Sequence, residues 1–220
     1  MAINSITVPN VNEVLNTMLQ TEKKTLFENL LRSTNREGIE NVIQFLNNTD
    51  FYTAPSSASY HSNYQGGLLD HSLLVYTCAM KLKNVYVDLK PELASRLDDN
   101  SIILSTLLHD ICKTCFYKEK TKWKKDENDQ WTSYIGYEID DTFPIGHGEK
   151  SVIMLLRLDL NLTPEEMIAI RFHMGSWDGA LLTNDVKYSY QAAMNTCPLL
   201  PLVQTADNTS SLLLETQKTQ

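Results

Sequence analysis

Long apolar runs are missing from this chain. No stretch approaches the ~18 consecutive apolar residues that a membrane-crossing helix requires, and no basic segment leading into an apolar one opens it. The sequence therefore predicts a soluble, cytoplasmic protein. Cysteine is scarce: Cys78, Cys112, Cys115 and Cys197 are the only four in 220 residues. That number excludes a disulfide framework and fits a reducing compartment. Positive charge is in deficit, with 19 Lys and Arg against 27 Asp and Glu and a net charge of −8. Strong stand-alone binding to duplex DNA needs Lys and Arg to neutralise phosphates, so that function is excluded for the chain as a whole. No internal repeat and no low-complexity segment is visible.

What is present is enough apolar residue, 42% of the chain, for one sizeable core. Helical spacing of apolar residues runs over 11–33, 38–48, 68–88, from Pro91 or Asp99 to Lys113, and over 147–158, 164–173, 186–196 and 199–214. Thr163-Pro164 is a helix-start signal, with Glu166 at the capping-box offset. Residues 49–66, rich in Ser and Tyr, read as a long ordered loop. Residues 115–139 place two aromatic-rich, partly alternating arms around DENDQ, the pattern of a β-hairpin. The expected fold class is mainly α, a helical bundle with one inserted hairpin. An N-terminal helical segment (1–50) packs on a main domain (51–214), and the last residues (215–220) fray.

The histidines and two aspartates carry the chemistry. His71 shares a helical stripe with Leu68, Val75, Cys78 and Leu82, so its imidazole points into the core. Asp207 lies on a stripe with Leu200, Val203 and Leu214, and a buried carboxylate needs a cation, a metal or strong donors. His109 and Asp110 end an apolar run in LLHDICK and, ~100° apart on a helix, converge on one ion between them. Two His and two Asp suit a first-row transition metal, or an Mn- or Mg-like site with open positions. His147 in GHGEK and His173 in RFHMGSW supply a second ion, bridged to the first by Asp110. A two-ion site would clamp both oxygens of a phosphoryl transfer. Lys113, one turn beyond Asp110, neutralises a phosphate or supports a leaving group. Each histidine taken singly is as readily a hydrogen-bonded core or helix-end residue. Four His and two Asp at inward-facing or helix-terminal positions are hard to assign to packing alone.

GGLLDHS (66–72), LLHDICK (107–113), GHGEK (146–150), FHMG (172–175) and QTAD (204–207) together resemble the HD-domain metal-dependent phosphohydrolases, most of all the HD domain of bacterial 3′-to-5′ exoribonucleases. The resemblance implies a helical bundle whose core holds metal through His71, His109, Asp110 and Asp207, with His147 and His173 on a second ion. His61, shortly before GGLLDHS, reads as substrate-facing or as supporting the ligands, with a surface-loop position as the alternative. The sequence departs from those exoribonucleases in showing no OB-type nucleic-acid module in residues 1–50. In addition, Cys112 and Phe172 stand where glycine and histidine are frequent in the pattern.

The expectation is a divalent-metal-dependent phosphohydrolase or phosphodiesterase for a nucleotide-type phosphate ester: a mononucleotide, a cyclic or signalling nucleotide, or a short oligonucleotide. Two ions (Mn, Mg, Co, Ni or Fe) are its cofactors, and Asp110 and Lys113 its catalytic residues; Lys113 and His61 bind substrate. The alternatives are an HD-type di-iron oxygenase, since ligand type underdetermines the metal, and a non-enzymatic nucleotide- or partner-binding protein. Cys112 and Cys115 form a CxxC without a second pair, which reads as free thiols at a helix end. The lysines of KEKTKWKK, beside Trp123 and facing Trp131, Tyr134 and Tyr137, read as a solvated, edge-protecting strand, with base stacking as the alternative.

Overall fold

The computed structural model describes residues 7–215 and has the helical character that the apolar spacing dictates. A π-helical turn (Glu13–Thr17) precedes α1 (Gln20–Ser33) and α2 (Ile39–Asn47). The expected continuous helix over 11–33 is broken at Met18 and Leu19, both extended, where the Glu22 carboxylate accepts from the Leu19 N–H at 2.8 Å. The long α3 (Gly67–Leu89) follows the 49–66 loop, then a 3₁₀ turn (Pro91–Ser95) and α4 (Asp99–Leu108), capped by the Asp98 carboxylate on Ser101 N–H. Next come a 3₁₀ turn (Ile111–Lys113), β1 (Tyr117–Lys125) and β2 (Trp131–Ile139). The last long helices are α5 (His147–Arg157), α6 (Pro164–Phe172), α7 (Asn184–Thr196) and α8 (Leu199–Thr209), and a π-helical turn (Ser210–Leu214) follows α8. None of the described helices is long and apolar enough to cross a membrane.

The two strands pair antiparallel, from Tyr117 opposite Ile139 to Lys125 opposite Trp131, and the Asp126 carboxylate accepts from Asn128 and Gln130 N–H to close the loop. Core packing joins the N-terminal segment to the rest. Phe27, Leu30, Leu31, Val42, Ile43 and Leu46 are buried in one cluster with Leu68, Leu69, Leu104 and Leu108. A second cluster sets Val75, Ala79 and Ile102 against Leu200, Val203 and Ala206 of α8. The capping box forms at α6 as expected, with Thr163 Oγ1 accepting from Glu166 N–H and the Glu166 carboxylate accepting from Thr163 N–H. Glu166 also accepts both guanidinium arms of Arg36 (2.7 and 2.8 Å) and the Ser101 hydroxyl (2.7 Å). This fully buried carboxylate thereby ties α6 to α4 and to the N-terminal segment.

Candidate metal centre

Each expected ligand sits where its helix points inward or stops. Gly67 lets α3 start hard against the preceding loop, since a Cβ there would lie 2.0 Å from Ser62 O. One turn on, His71 is buried in the bundle. Helix α4 ends at Leu108 rather than continuing to Lys113, so His109 and Asp110 form its terminus. His173 caps α6 and Asp207 lies in the third turn of α8. The tertiary fold brings these four elements together. His71 Nε2 stands 3.2 Å from His109 Nε2, 3.2 Å from Asp207 Oδ1 and 3.6 Å from Asp110 Oδ2. His109 Nε2 is 3.3 Å from Asp110 Oδ2, and His173 Nε2 is 3.6 Å from Asp110 Oδ1.

The bonds made by the other ring nitrogens fix the character of this centre. His71 Nδ1 meets Glu215 Oε1 at 2.6 Å, His109 Nδ1 meets Thr106 O at 2.8 Å, and His173 Nδ1 meets Ile170 O at 2.7 Å. All three partners are acceptors, so Nδ1 carries a hydrogen and Nε2 is the atom left to face the carboxylates and the neighbouring rings. Asp110 Oδ1 and His173 Nε2 are buried with no hydrogen-bond partner. Without an ion the cluster is held by the proton on His71 and the Lys113 ammonium, and a cation between the Nε2 atoms and carboxylates would satisfy the rest. Atoms bound about 2 Å from one ion stand roughly 3–3.5 Å apart, in keeping with the contacts here. The donor set therefore fits a divalent metal. Two groups of three, His71–His109–Asp207 and His109–Asp110–His173, each bring their ligand atoms within 4.8 Å of one another.

Electrostatics point the same way. Burial pulls the His71 imidazole down, but the Glu215 and Asp207 carboxylates outweigh it and hold it up at about 10. His173 is raised against burial by Asp110. Burial would raise Asp110 and Asp207; Lys113 and His109 hold the first well below the usual carboxylate range, and His71 and His109 hold the second there. The pocket demands positive charge.

Residues 68–212 match the model of the HD domain family. The chain belongs to that family. A match to the dihydroneopterin 2′,3′-cyclic phosphate phosphodiesterase of Methanocaldococcus jannaschii has 33% identity over 78 residues, 36% of this chain and 30% of the relative's length. No solved structure matches the chain.

The HD domain places the remaining expected residues unevenly. Lys113 is buried and donates to Asp110 Oδ2 at 2.6 Å, beside the cluster. His61 lines a cavity of about 450 Å³ together with Asp110, Lys113 and Asp207. Its Nε2 is buried without a partner, and its ring lies 5.0 Å from that of His71, so it stands beside the cluster rather than on an outer loop. Burial, with the His71 and Lys113 charges, depresses His61 to about 4. His147 is not brought into either group of three. Its Nδ1 is 3.4 Å from Cys112 Sγ and its ring packs on Phe116, although it feels the charge of Asp110 and His173.

Glu215 is the residue that sequence reasoning missed by placing it in a fraying tail. It is 5% exposed, accepts from the Ser62 hydroxyl at 2.6 Å and holds His71. The π-helical turn after α8 carries it inward; residues 216–220 lie outside the described residues. The signal was its place eight residues after Asp207, two turns along the same face. Cys112 and Cys115 are free thiols, one buried and one exposed. On the hairpin, Lys118 pairs with Asp140, Lys120 with Glu138 and Lys125 with Asp129, which favours the solvated strand.

Proposed function

We propose that this HD domain is a divalent-metal-dependent phosphohydrolase acting on a nucleotide-type phosphate ester. The observation that carries the reading is the convergence of His71, His109, Asp110, His173 and Asp207 on a buried point where Asp110 Oδ1 and His173 Nε2 have no hydrogen-bond partner, beside a cavity also lined by Lys113 and His61. The relative's name, that of a cyclic phosphate phosphodiesterase, supports a phosphodiester among the candidate substrates. Metal would be held by His71, His109, Asp110 and Asp207, with His173, Asp110 and, after a turn of its ring, His147 serving a second ion. Bound there, divalent ions supply Lewis-acid polarisation of phosphoryl oxygen and a water acidified toward neutral pH.

The chain's own groups do the rest. Lys113 keeps its proton, since Asp110 raises it against burial, so its ammonium offers a fixed charge to a phosphate oxygen. His61 is neutral at pH 7 and hydrogen-bonds the ester through its free Nε2 rather than protonating a leaving group. Nδ1 bonds on three imidazoles lock the rings before substrate arrives, which removes reorganisation from the reaction. The mixed nitrogen and oxygen donors suit Mn, Fe, Co or Ni better than Mg, whose preference is for oxygen.

Metal-stripped protein reloaded with each of Mn, Mg, Co, Ni and Fe, assayed on nucleoside monophosphates and on 2′,3′- and 3′,5′-cyclic nucleotides, tests this. Release of phosphate or of a monophosphate is expected with at least one ion, and Asp110→Ala abolishes it. Absence of turnover with every ion and ester overturns the proposal.

A further inference from the structure

The cavity that opens on the cluster is lined by more than charged groups. Tyr60, Trp177, Met174 and Leu212 share its lining with Lys113 and His61. Both aromatics are more than 70% exposed, so folding gains little from them. Yet their backbones are held firmly. Trp177 closes a 3₁₀ turn, Gly175–Trp177, whose Gly175 has φ +51° and lies so close to α8 that a Cβ there would meet the Gln204 side chain at 1.4 Å. Arg171 pins the turn's far side through Asp178 at 2.6 Å. Tyr60 N–H donates to Ser57 Oγ at 2.8 Å, and the same hydroxyl donates to His61 O at 2.8 Å. Two large exposed aromatic surfaces, held by fixed turns and lining the same cavity as the Lys113 ammonium, supply stacking faces for a flat ring that carries an anion.

We infer that the cavity binds a single planar heterocycle bearing a phosphate ester, the ring against Tyr60 and Trp177 and the phosphate at Lys113 and His61. At about 450 Å³ it sits low in the roughly 300–1,000 Å³ range of small-molecule pockets, with room for one nucleotide-sized molecule rather than a run of bases. Asn208 and Ser211 also line the cavity and offer the ring edge an amide and, since the Ser211 hydroxyl already donates to Asp207 O, an acceptor oxygen. On the hairpin, Lys118, Lys120 and Lys125 are already paired with carboxylates. Only the phosphate end of this inference rests on the phosphohydrolase reading.

The chain has three tryptophans, so Trp123→Phe with Trp131→Phe leaves Trp177 as the sole reporter. Metal-loaded protein of this kind is mixed in stopped flow with adenosine 5′-monophosphate, guanosine 5′-monophosphate or ribose 5-phosphate, and the rapid quench before turnover is read. Quenching by both nucleotides and not by ribose 5-phosphate is expected. In the otherwise unaltered chain, Trp177→Ala and Tyr60→Ala each weaken nucleotide binding roughly 5- to 150-fold, and Trp177→Phe and Tyr60→Phe restore most of it. Ribose 5-phosphate binding as tightly as the nucleotides, or alanine variants with unchanged affinity, overturns the inference. Hydrolysis of phosphate esters without nucleotide quenching sinks the ring site and leaves the phosphohydrolase; quenching without turnover under any ion does the reverse.

Discussion

Glu215 shows how much one side chain at the end of the described chain governs. Its carboxylate accepts from His71 Nδ1–H and from the hydroxyl of Ser62, next to His61, so it touches both the His/Asp cluster and the loop that carries His61. Glu215→Gln keeps a carbonyl acceptor for His71 Nδ1–H, turns the Ser62 contact around so that the amide donates to the hydroxyl, and removes the charge. Metal affinity, measured by competition with a chelator, is expected to fall about 10- to 100-fold, and the melting temperature of the metal-free protein to fall at neutral pH with loss of the charged His71 pair. Unchanged affinity would reduce Glu215 to a structural tie. A second prediction concerns protons. His71 is raised from 6.5 to about 10, so its charged pairing stabilises the metal-free protein fully below pH 6.5 and is lost as pH rises through about 10. The depressed carboxylates Asp110, Asp207 and Glu215 act in the opposite sense, contributing above their usual range and losing that contribution as pH falls through their lowered values. Denaturant titrations after chelation should show stability falling from pH 7 to 10. Metal-loaded protein should lack that fall, because the ion replaces the proton.

At the scale of elements, α6 matters most because it ends in His173. Its start is set by Thr163 and Glu166, and Glu166 accepts from Arg36, Ser101 and the Thr163 N–H at once, with Asn161 O as a further acceptor for Arg36. Thr163→Ala should cost about 1 kcal/mol through loss of the cap. Glu166→Ala, which strands a partly buried guanidinium, should cost about 3 kcal/mol or more and weaken metal binding through His173. Urea melts with chelator titrations separate the two effects; equal costs for both variants would contradict the network. The hairpin illustrates the reverse. Its alternation and loop chemistry make it readable in sequence, but its large apolar residues Trp123, Trp131, Ile135 and Ile139 are each more than 60% exposed and it contributes none of the centre's ligands.

For the whole molecule, the boundary at residue 50 does not separate two cores. Phe27, Leu31, Val42 and Leu46 are buried in one cluster with α3 and α4, which carry His71 and His109. A chain lacking residues 1–50 would expose that face and leave the Asp70 carboxylate, now bonded to Lys23 at 2.7 Å one residue from His71, without its buried partner. It should fail to give a cooperative thermal transition by circular dichroism. Full cooperativity would show that the main domain stands alone.

Sequence by itself determined the helical bundle, the hairpin and the inward direction of His71, His109, Asp110, His173 and Asp207. Each of these depends on local periodicity or on where a helix stops, and those follow from a few neighbouring residues. It also determined the acidic balance of the chain. Tertiary structure alone decided that His147 turns toward Cys112, that His61 faces the cavity, and that Glu215 folds inward to hold His71. Ring orientation and the path of a chain end depend on contacts between residues tens to well over a hundred positions apart, where no local pattern carries the information. The Nδ1 bonds that aim three imidazoles at the cluster belong to both levels: Thr106 and Ile170 lie three residues from their histidines, whereas Glu215 reaches His71 across 144 residues of chain.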